Sequence, residues 1–390
     1  MRQIVHMDLD AFFVSCERLA NSQLNNIPLI IGGGSDRGVV ASCSYEARVF
    51  GVRSAMPMKM ALRLCPDARV IKGDMERYSQ LSHTVTEVIE QQAPIMEKAS
   101  IDEFYLDITG MDKFFGCYQW TTELAQAVTK ETGLPISFAL SVNKTVSKIA
   151  TGEAKPIGKL EIPEDMVRPF LNPLSIRKIP MVGDATFSLL SRIGIRKIQT
   201  LSEMPVEVLQ QIIGKNGIEL WKKANGIDNN PVEPYTERKS VSTEHTFDQD
   251  TIDIVKLKSM LIAMVEKLGF QLRCEEWLTS TVVIKIRYNN FDTETKQCKI
   301  PYTSCDHVLI KVVSDLLDKL YHRRMRLRMI GIRFSGLVRG TYQINLFEDT
   351  VEMMSLYQAM DRMKKRYGFD AVTRCAGGIF KNPKFKTVES

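Results

Sequence analysis

Between Lys239 and Ser335 the spacing of apolar residues changes several times, and that succession leaves few folds open. Lys239–Phe247 reads as extended, and over 251–273 the residues Ile254, Leu257, Leu261, Val265, Leu268 and Leu272 fall at helical spacing. Thr279–Tyr288 alternates, with Val282, Ile284, Ile286 and Tyr288 on one face and Thr281, Val283, Lys285 and Arg287 on the other. Asn289-Asn290-Phe291-Asp292 supplies a turn, and Thr293–Ile300 is a second alternating run. Helical spacing returns over 306–322 through Leu309, Val312, Val313, Leu316 and Leu320, and Leu327–Ser335 is a last strand that carries Arg333. The order β-α-β-β-α-β predicts a four-stranded sheet with two helices on one face. The other face keeps no helix, and Lys285, Arg287 and Arg333 are expected on it.

Charge gathers in the same stretch. The 390 residues carry a formal charge of +6, yet residues 1–235 hold 26 basic and 27 acidic side chains while residues 236–342 hold 18 and 13. A local excess of this kind hints at an acidic partner. The length suggests two to four domains, and 44% apolar with 25% charged residues rules out collagen, low-complexity disorder and a disulfide scaffold. Eight cysteines without a C-x-x-C pair argue for a reducing compartment and against zinc. Asp8 and Asp10 interrupt any signal-peptide core, and no run approaches the ~20 apolar residues of a membrane span.

Residues 173–226 read as short helices punctuated by glycine. Pro180-Met181-Val182-Gly183-Asp184 is a tight connection ahead of a helix over Thr186–Arg192, which Gly194 is placed to cap. Such turns expose backbone N–H groups able to hold a phosphate, and a plain helical connector is the alternative. The first 165 residues alternate strand and helix, and Gly32-Gly33-Gly34 lacks the spacing of a P-loop.

Two acidic sites stand out. Gln3–Leu9 is an apolar strand with Asp8 and Asp10 directed to one side at its end. Buried carboxylates are costly unless they bind cations or cap a helix; Asp8 is assigned to a metal and Asp10 to the N-cap of a helix over Ala11–Leu19. The second site is Ser100-Ile101-Asp102-Glu103. Adjacent residues on a regular strand face opposite ways, so both acids reach one centre only at a bend, bulge or strand end; otherwise one of them points to solvent. Together the two clusters supply the hard oxygen ligands that Mg²⁺ prefers. Three carboxylates can hold two ions ~3.5–4 Å apart, the arrangement that supports in-line attack on a phosphate.

The runs D-L-D-A-F-F at 8–13, S-Y-E-A-R at 44–48, F-G-V-R-S-A-M-P at 50–57, S-I-D-E at 100–103 and A-K-P at 154–156 occur in order. Together they resemble the Y-family of translesion DNA polymerases, the ImpB/MucB/SamB family, in its DinB type. The resemblance covers nearly the whole chain. It implies an α+β multidomain right-hand polymerase, with a palm over 1–10 and 74–165, fingers over 11–73 and a helical thumb with hairpin turns over 166–235. A β-α-β-β-α-β little finger over 236–342 and a tail over 343–390 follow. The implied activity is template-directed, Mg²⁺-dependent, low-fidelity DNA synthesis for lesion bypass and repair, without proofreading, on primer–template DNA and dNTP. A bacterial cytoplasmic monomer with no membrane contact is expected.

Carried over by motif, Asp8, Asp102 and Glu103 are the catalytic carboxylates around two Mg²⁺ ions, with the main-chain carbonyl of Leu9 as a further ligand. Tyr45, Arg48 and Lys155 would clamp the triphosphate, and Lys148 lies within reach of phosphate or primer. Phe13 matches the steric gate, whose ring leaves a ribose 2′-hydroxyl neither space nor a hydrogen-bond partner; Phe12 stays in the core. Val40, Ala41 and Ser42 suit an open roof over the templating base. The thumb turn, P-G-x-G in the family, reads Pro180-Met181-Val182-Gly183 here, so Gly183 is the DNA contact carried over and Met181 replaces a flexible glycine. Lys285, Arg287 and Arg333 are expected to meet DNA. Gln343-Ile344-Asn345-Leu346-Phe347 resembles the peptide that docks on the sliding clamp, through Gln343, Leu346 and Phe347. The basic helical segment 351–367 would add a DNA contact or pack. Two competitors are a UmuC-like subunit of a mutagenic complex, suggested by Ser15-Cys16-Glu17-Arg18, and a catalytically silent DNA-binding protein on the same fold. Unused acids would repel DNA, which weighs against the second.

Overall fold

The structure, a computed structural model, describes residues 2–35, 37–111, 116–340 and 351–380. They divide into two units, Met1–Thr236 and Glu237–Ser390. The first holds strands β1 (Ile4–Leu9), β2 (Leu29–Gly32), β3 (Val40–Cys43), β4 (Arg69–Ile71), β5 (Met96–Lys98), β6 (Glu103–Asp107), β7 (Ile136–Ser141) and β8 (Lys159–Glu161). They form a five-stranded sheet, β5-β6-β1-β7-β8, and a three-stranded one, β3-β2-β4.

Strand β1 lies at the centre of the larger sheet, antiparallel to both β6 and β7. Its alternation divides the labour. Val5, Met7 and Leu9 enter a core with residues of the helices Met75–Glu90 and Cys117–Thr132. His6 and Asp8 face the other way, the side that carries the helix Lys144–Ala154. That helix continues a second core through Ile149, Ile162, Leu190, Leu201, Leu209 and Leu220, which holds together the short helices between Val167 and Ala224.

One expectation fails here. The helix after β1 spans Phe12–Ala20 and starts from Ala11 in the left-handed region, without a side-chain cap. Asp10 is not its N-cap, because the left-handed step at Ala11 turns the Asp10 carboxylate inward, toward Ser137 and Ile157. The turn before the helix Asp184–Arg192 keeps a glycine-like shape without the glycine. Met181 sits at φ +81 with its side chain 80% exposed, a conformation that costs an L-residue about 1–2 kcal/mol.

The second unit contains β9 (Ser240–Thr251), β10 (Trp277–Tyr288), β11 (Thr293–Thr303) and β12 (Leu327–Arg339), ordered β11-β10-β12-β9 with every pairing antiparallel. Val282, Ile284, Ile286 and Tyr288 are buried against Leu257, Leu261, Val265 and Leu268 of the helix Ile254–Cys274 and Leu309, Val313 and Leu316 of the helix Asp306–Leu320. The expected one-sided β-α-β-β-α-β layer is thus present.

The basic segment forms the helix Val351–Tyr367 and packs against these two helices. Arg273 joins the three. Its guanidinium donates to Asp361 at 2.7 and 3.0 Å, to Asp306 at 2.7 Å and to the Ser304 carbonyl at 2.8 Å. Gly269 leaves room for this, since a Cβ there would come within 2.2 Å of Asp306 Oδ1. Removing one partner of a buried ion pair strands the other, so Arg273→Ala should destabilise this unit by about 3–5 kcal/mol. Urea unfolding monitored by circular dichroism checks this, and a loss below about 1 kcal/mol would show that the network is not needed.

Candidate active site

The acidic residues meet because of strand register. Asp8 lies directly opposite Glu103 on β6, and on its other side opposite Ser137 on β7. Strand β6 begins only at Glu103; Asp102 belongs to the preceding bend, where the Ser100 hydroxyl accepts from the Asp102 and Glu103 N–H groups at 3.3 and 3.1 Å. The Leu9 N–H donates to the Asp102 carbonyl at 3.0 Å. A strand end of this kind lets neighbouring acids share one cleft, which the alternation of a continuous strand forbids.

Two lysines face the acids. Lys148 reaches both Glu103 oxygens at 2.6 Å, and Lys155 pairs with Asp8 while lying 3.5 Å from the Leu9 carbonyl. Asp8 is held up at about 6: burial raises it most, Lys155 pulls it down, and the charges of Asp102 and Glu103 contribute to the rise. Oxygens of Asp8 and Glu103 and a ring nitrogen of His6 lie within 4.8 Å of one another, a group able to hold a cation. Asp102 stands beside this group, its Oδ1 accepting from the Ser100 hydroxyl at 2.6 Å. His6 is 1% exposed with no hydrogen bond at either ring nitrogen, its Nε2 lying 3.9 Å from Glu103 Oε1, and burial holds it well below the usual histidine range. Sequence reading assigns His6 no role, although period-two alternation puts it on the face of Asp8.

A cleft of about 170 Å³ is lined by Asp8, Leu9, Phe13, Ala41, Ser42, Arg48, Asp102 and Lys155. Tyr45 and Arg48 lie one turn apart on the helix Tyr45–Val49, the guanidinium 4.6 Å above the tyrosine ring. Ser44 caps that helix by accepting from the Ala47 N–H at 3.4 Å. Phe13 stacks on Tyr78 with ring centroids 4.5 Å apart and planes 14° from parallel, and the Tyr78 hydroxyl donates to Glu17 at 2.6 Å. Phe12 is in the core.

The other expected contacts are dispersed. Gly183 precedes the helix Asp184–Arg192 with open space where a Cβ would stand. Lys285, Arg287 and Arg333 share the helix-free face of the second unit; Lys285 pairs with Glu244 at 2.8 Å and Arg287 donates to Thr293 at 2.9 Å. Gln343, Leu346 and Phe347 lie outside the described residues. Among the described residues no helix is long and apolar enough to cross a membrane.

The fold is that of a Y-family DNA polymerase. A solved structure titled Y-family DNA polymerase chimera Dbh-Dpo4(243-245)-Dbh is similar over 87% of this chain and 100% of its own, with a TM-score of 0.77 and 26% identity. In sequence, residues 7–152 match the impB/mucB/samB family and residues 238–346 its C-terminal domain. The DNA polymerase IV of Dehalococcoides mccartyi (strain ATCC BAA-2100 / JCM 16839 / KCTC 5957 / BAV1) is 34% identical over 95% of this chain and 96% of its own length. That of Xanthomonas axonopodis pv. citri is 36% identical over 89% and 98%. The chain therefore belongs to the impB/mucB/samB family and is a translesion DNA-directed DNA polymerase, a class that joins dNTPs to DNA with a divalent metal.

Proposed function

We propose that the described cleft extends a primer with two Mg²⁺ ions held by Asp8, Asp102, Glu103 and the Leu9 carbonyl. The observation that carries this reading is the Asp8–Glu103 register with Asp102 in the adjoining bend, which gathers three hard oxygen ligands at one sheet end. When bound, the ions would lower the pKa of the primer 3′-hydroxyl and neutralise the leaving pyrophosphate. Lys155, Arg48 and Tyr45 would hold the triphosphate, so that the Lys155 ammonium exchanges Asp8 for phosphate oxygens as nucleotide enters. Phe13 would sit beneath the sugar, and small Ala41 and Ser42 would leave the templating base uncrowded. In this assignment the palm is 1–10 and 74–165, the fingers 11–73, the thumb 166–235 and the little finger 236–342. Gly183 and the basic residues Lys285, Arg287 and Arg333 would then grip the DNA backbone.

The enzyme would act as a monomer in the bacterial cytoplasm, without an editing step, and would be brought to primer ends by the sliding clamp through 343–347. Deleting Gln343–Phe347 should leave basal extension within about twofold and abolish stimulation by added clamp. Undiminished stimulation would remove the docking role. In the same assay a mismatched primer terminus should persist without dNTP, and its excision would contradict the absence of editing.

A further inference from the structure

Asp10 is 2% exposed, and its bonds come from three separate segments. Oδ2 accepts from the Ser137 hydroxyl of β7 at 2.8 Å and from the Ile157 N–H at 2.7 Å, and Oδ1 accepts from the Tyr45 hydroxyl at 3.3 Å. Ser137 in turn accepts from the Gly158 N–H at 3.1 Å. Two successive N–H groups of the turn that follows Lys155 are therefore tied to one buried carboxylate, directly or through one hydroxyl.

That turn needs an anchor. Ile157 is a β-branched residue at φ +51 with a 68% exposed side chain, so no packing of its own offsets a conformation that sterics disfavour. Gly158 admits no side chain, since a Cβ would stand 1.7 Å from the Ala154 carbonyl oxygen. The Lys155 ammonium, projected from the same turn, lies 3.8 Å from Asp10 Oδ1 and pairs with Asp8.

We propose that Asp10 is a positioning residue, which holds the 155–158 turn so that the Lys155 ammonium faces the nucleotide triphosphate. This rests on the assignment of Lys155 to the triphosphate. The carboxylate does not touch substrate; it supplies the acceptor that keeps a strained turn in one shape, and so acts on nucleotide binding more than on the chemical step.

The test is single-nucleotide insertion by the full chain on primer–template DNA with Mg²⁺, with inorganic triphosphate as competitive inhibitor. Asp10→Ala should raise KM for dNTP about tenfold or more and weaken triphosphate inhibition in parallel, with kcat within about threefold. Asp10→Asn, which keeps an acceptor oxygen for Ser137 and Ile157, should restore most of the loss. Ser137→Ala, a milder change that serves if Asp10→Ala does not fold, should raise KM about threefold. In a Lys155→Ala background Ser137→Ala should not add to KM, because it acts through that ammonium, and Asp10→Ala should keep only the part that runs through the Tyr45 hydroxyl. If Lys155→Ala raises KM but Asp10→Ala and Ser137→Ala leave it unchanged, or Ser137→Ala multiplies with it, the positioning role is overturned and the clamp assignment stands. If Lys155→Ala changes neither KM nor triphosphate inhibition, the clamp assignment fails and the positioning role falls with it.

Discussion

Asp8→Ala and Glu103→Ala should each lower primer extension by about 10³-fold or more while leaving primer–template affinity within about threefold. Asp8 and Glu103 are opposed across β1 and β6, and His6, which shares their cluster, is a neutral and softer ligand that cannot replace a carboxylate toward Mg²⁺. Either substitution also frees a lysine, Lys155 from Asp8 or Lys148 from Glu103. Removing an acid from beside a lysine leaves the attraction for phosphate intact, although Lys155 keeps Asp10 at 3.8 Å. Single-nucleotide incorporation together with fluorescence anisotropy on labelled DNA separates the two quantities. Extension that survives both substitutions would refute the placement of the catalytic centre, and equal loss of DNA binding would point to misfolding.

Phe13→Ala should raise ribonucleotide insertion relative to deoxyribonucleotide by roughly 100-fold or more. A gate works only if it cannot yield, and Phe13 is backed by Tyr78 in a near-parallel stack whose hydroxyl is tied to Glu17. Alanine removes the ring and opens room for a 2′-hydroxyl that the wild-type surface would leave unpaired and crowded. Competing rNTP and dNTP at one template position measures the ratio directly. An unchanged ratio would place sugar discrimination elsewhere.

Legibility from sequence was greatest where a periodic pattern is long and one-sided. The strand expected over 279–288 is Trp277–Tyr288, and the helix expected over 251–273 is Ile254–Cys274. Short, weakly patterned elements escaped: β4 and β8 have three residues each, too few to show a period. The packing of the helix Val351–Tyr367 was equally hidden, because Arg273 and Asp361 are 88 positions apart and no local spacing reveals such a pair. In the site, the residue types and motif order pointed to the carboxylates, but whether Asp102 and Glu103 share a face depends on where β6 begins. Asp10 was misassigned because an acid ahead of a helix satisfies the capping rule, and a left-handed step at Ala11 leaves no sequence signal to oppose it. His6 was missed since a lone histidine among apolar residues resembles ordinary core.

The two-faced character of β1 bears on which genetic changes this enzyme survives. From Ile4 to Asp8 every residue is paired on both sides, and alternate side chains are committed to the core with the two long helices, as Met7 is, or to the opposite face, where Asp8 lines the cleft. A point substitution disturbs one of those commitments. Loss or gain of a single codon between Ile4 and Asp8 reverses every residue on one side of the change, so that either the Asp8 carboxylate turns into the apolar layer or core side chains are turned out of it. Length variation among functional descendants of this chain should therefore be confined to the loops that join the strands and be absent from β1, however freely its apolar residues exchange for one another.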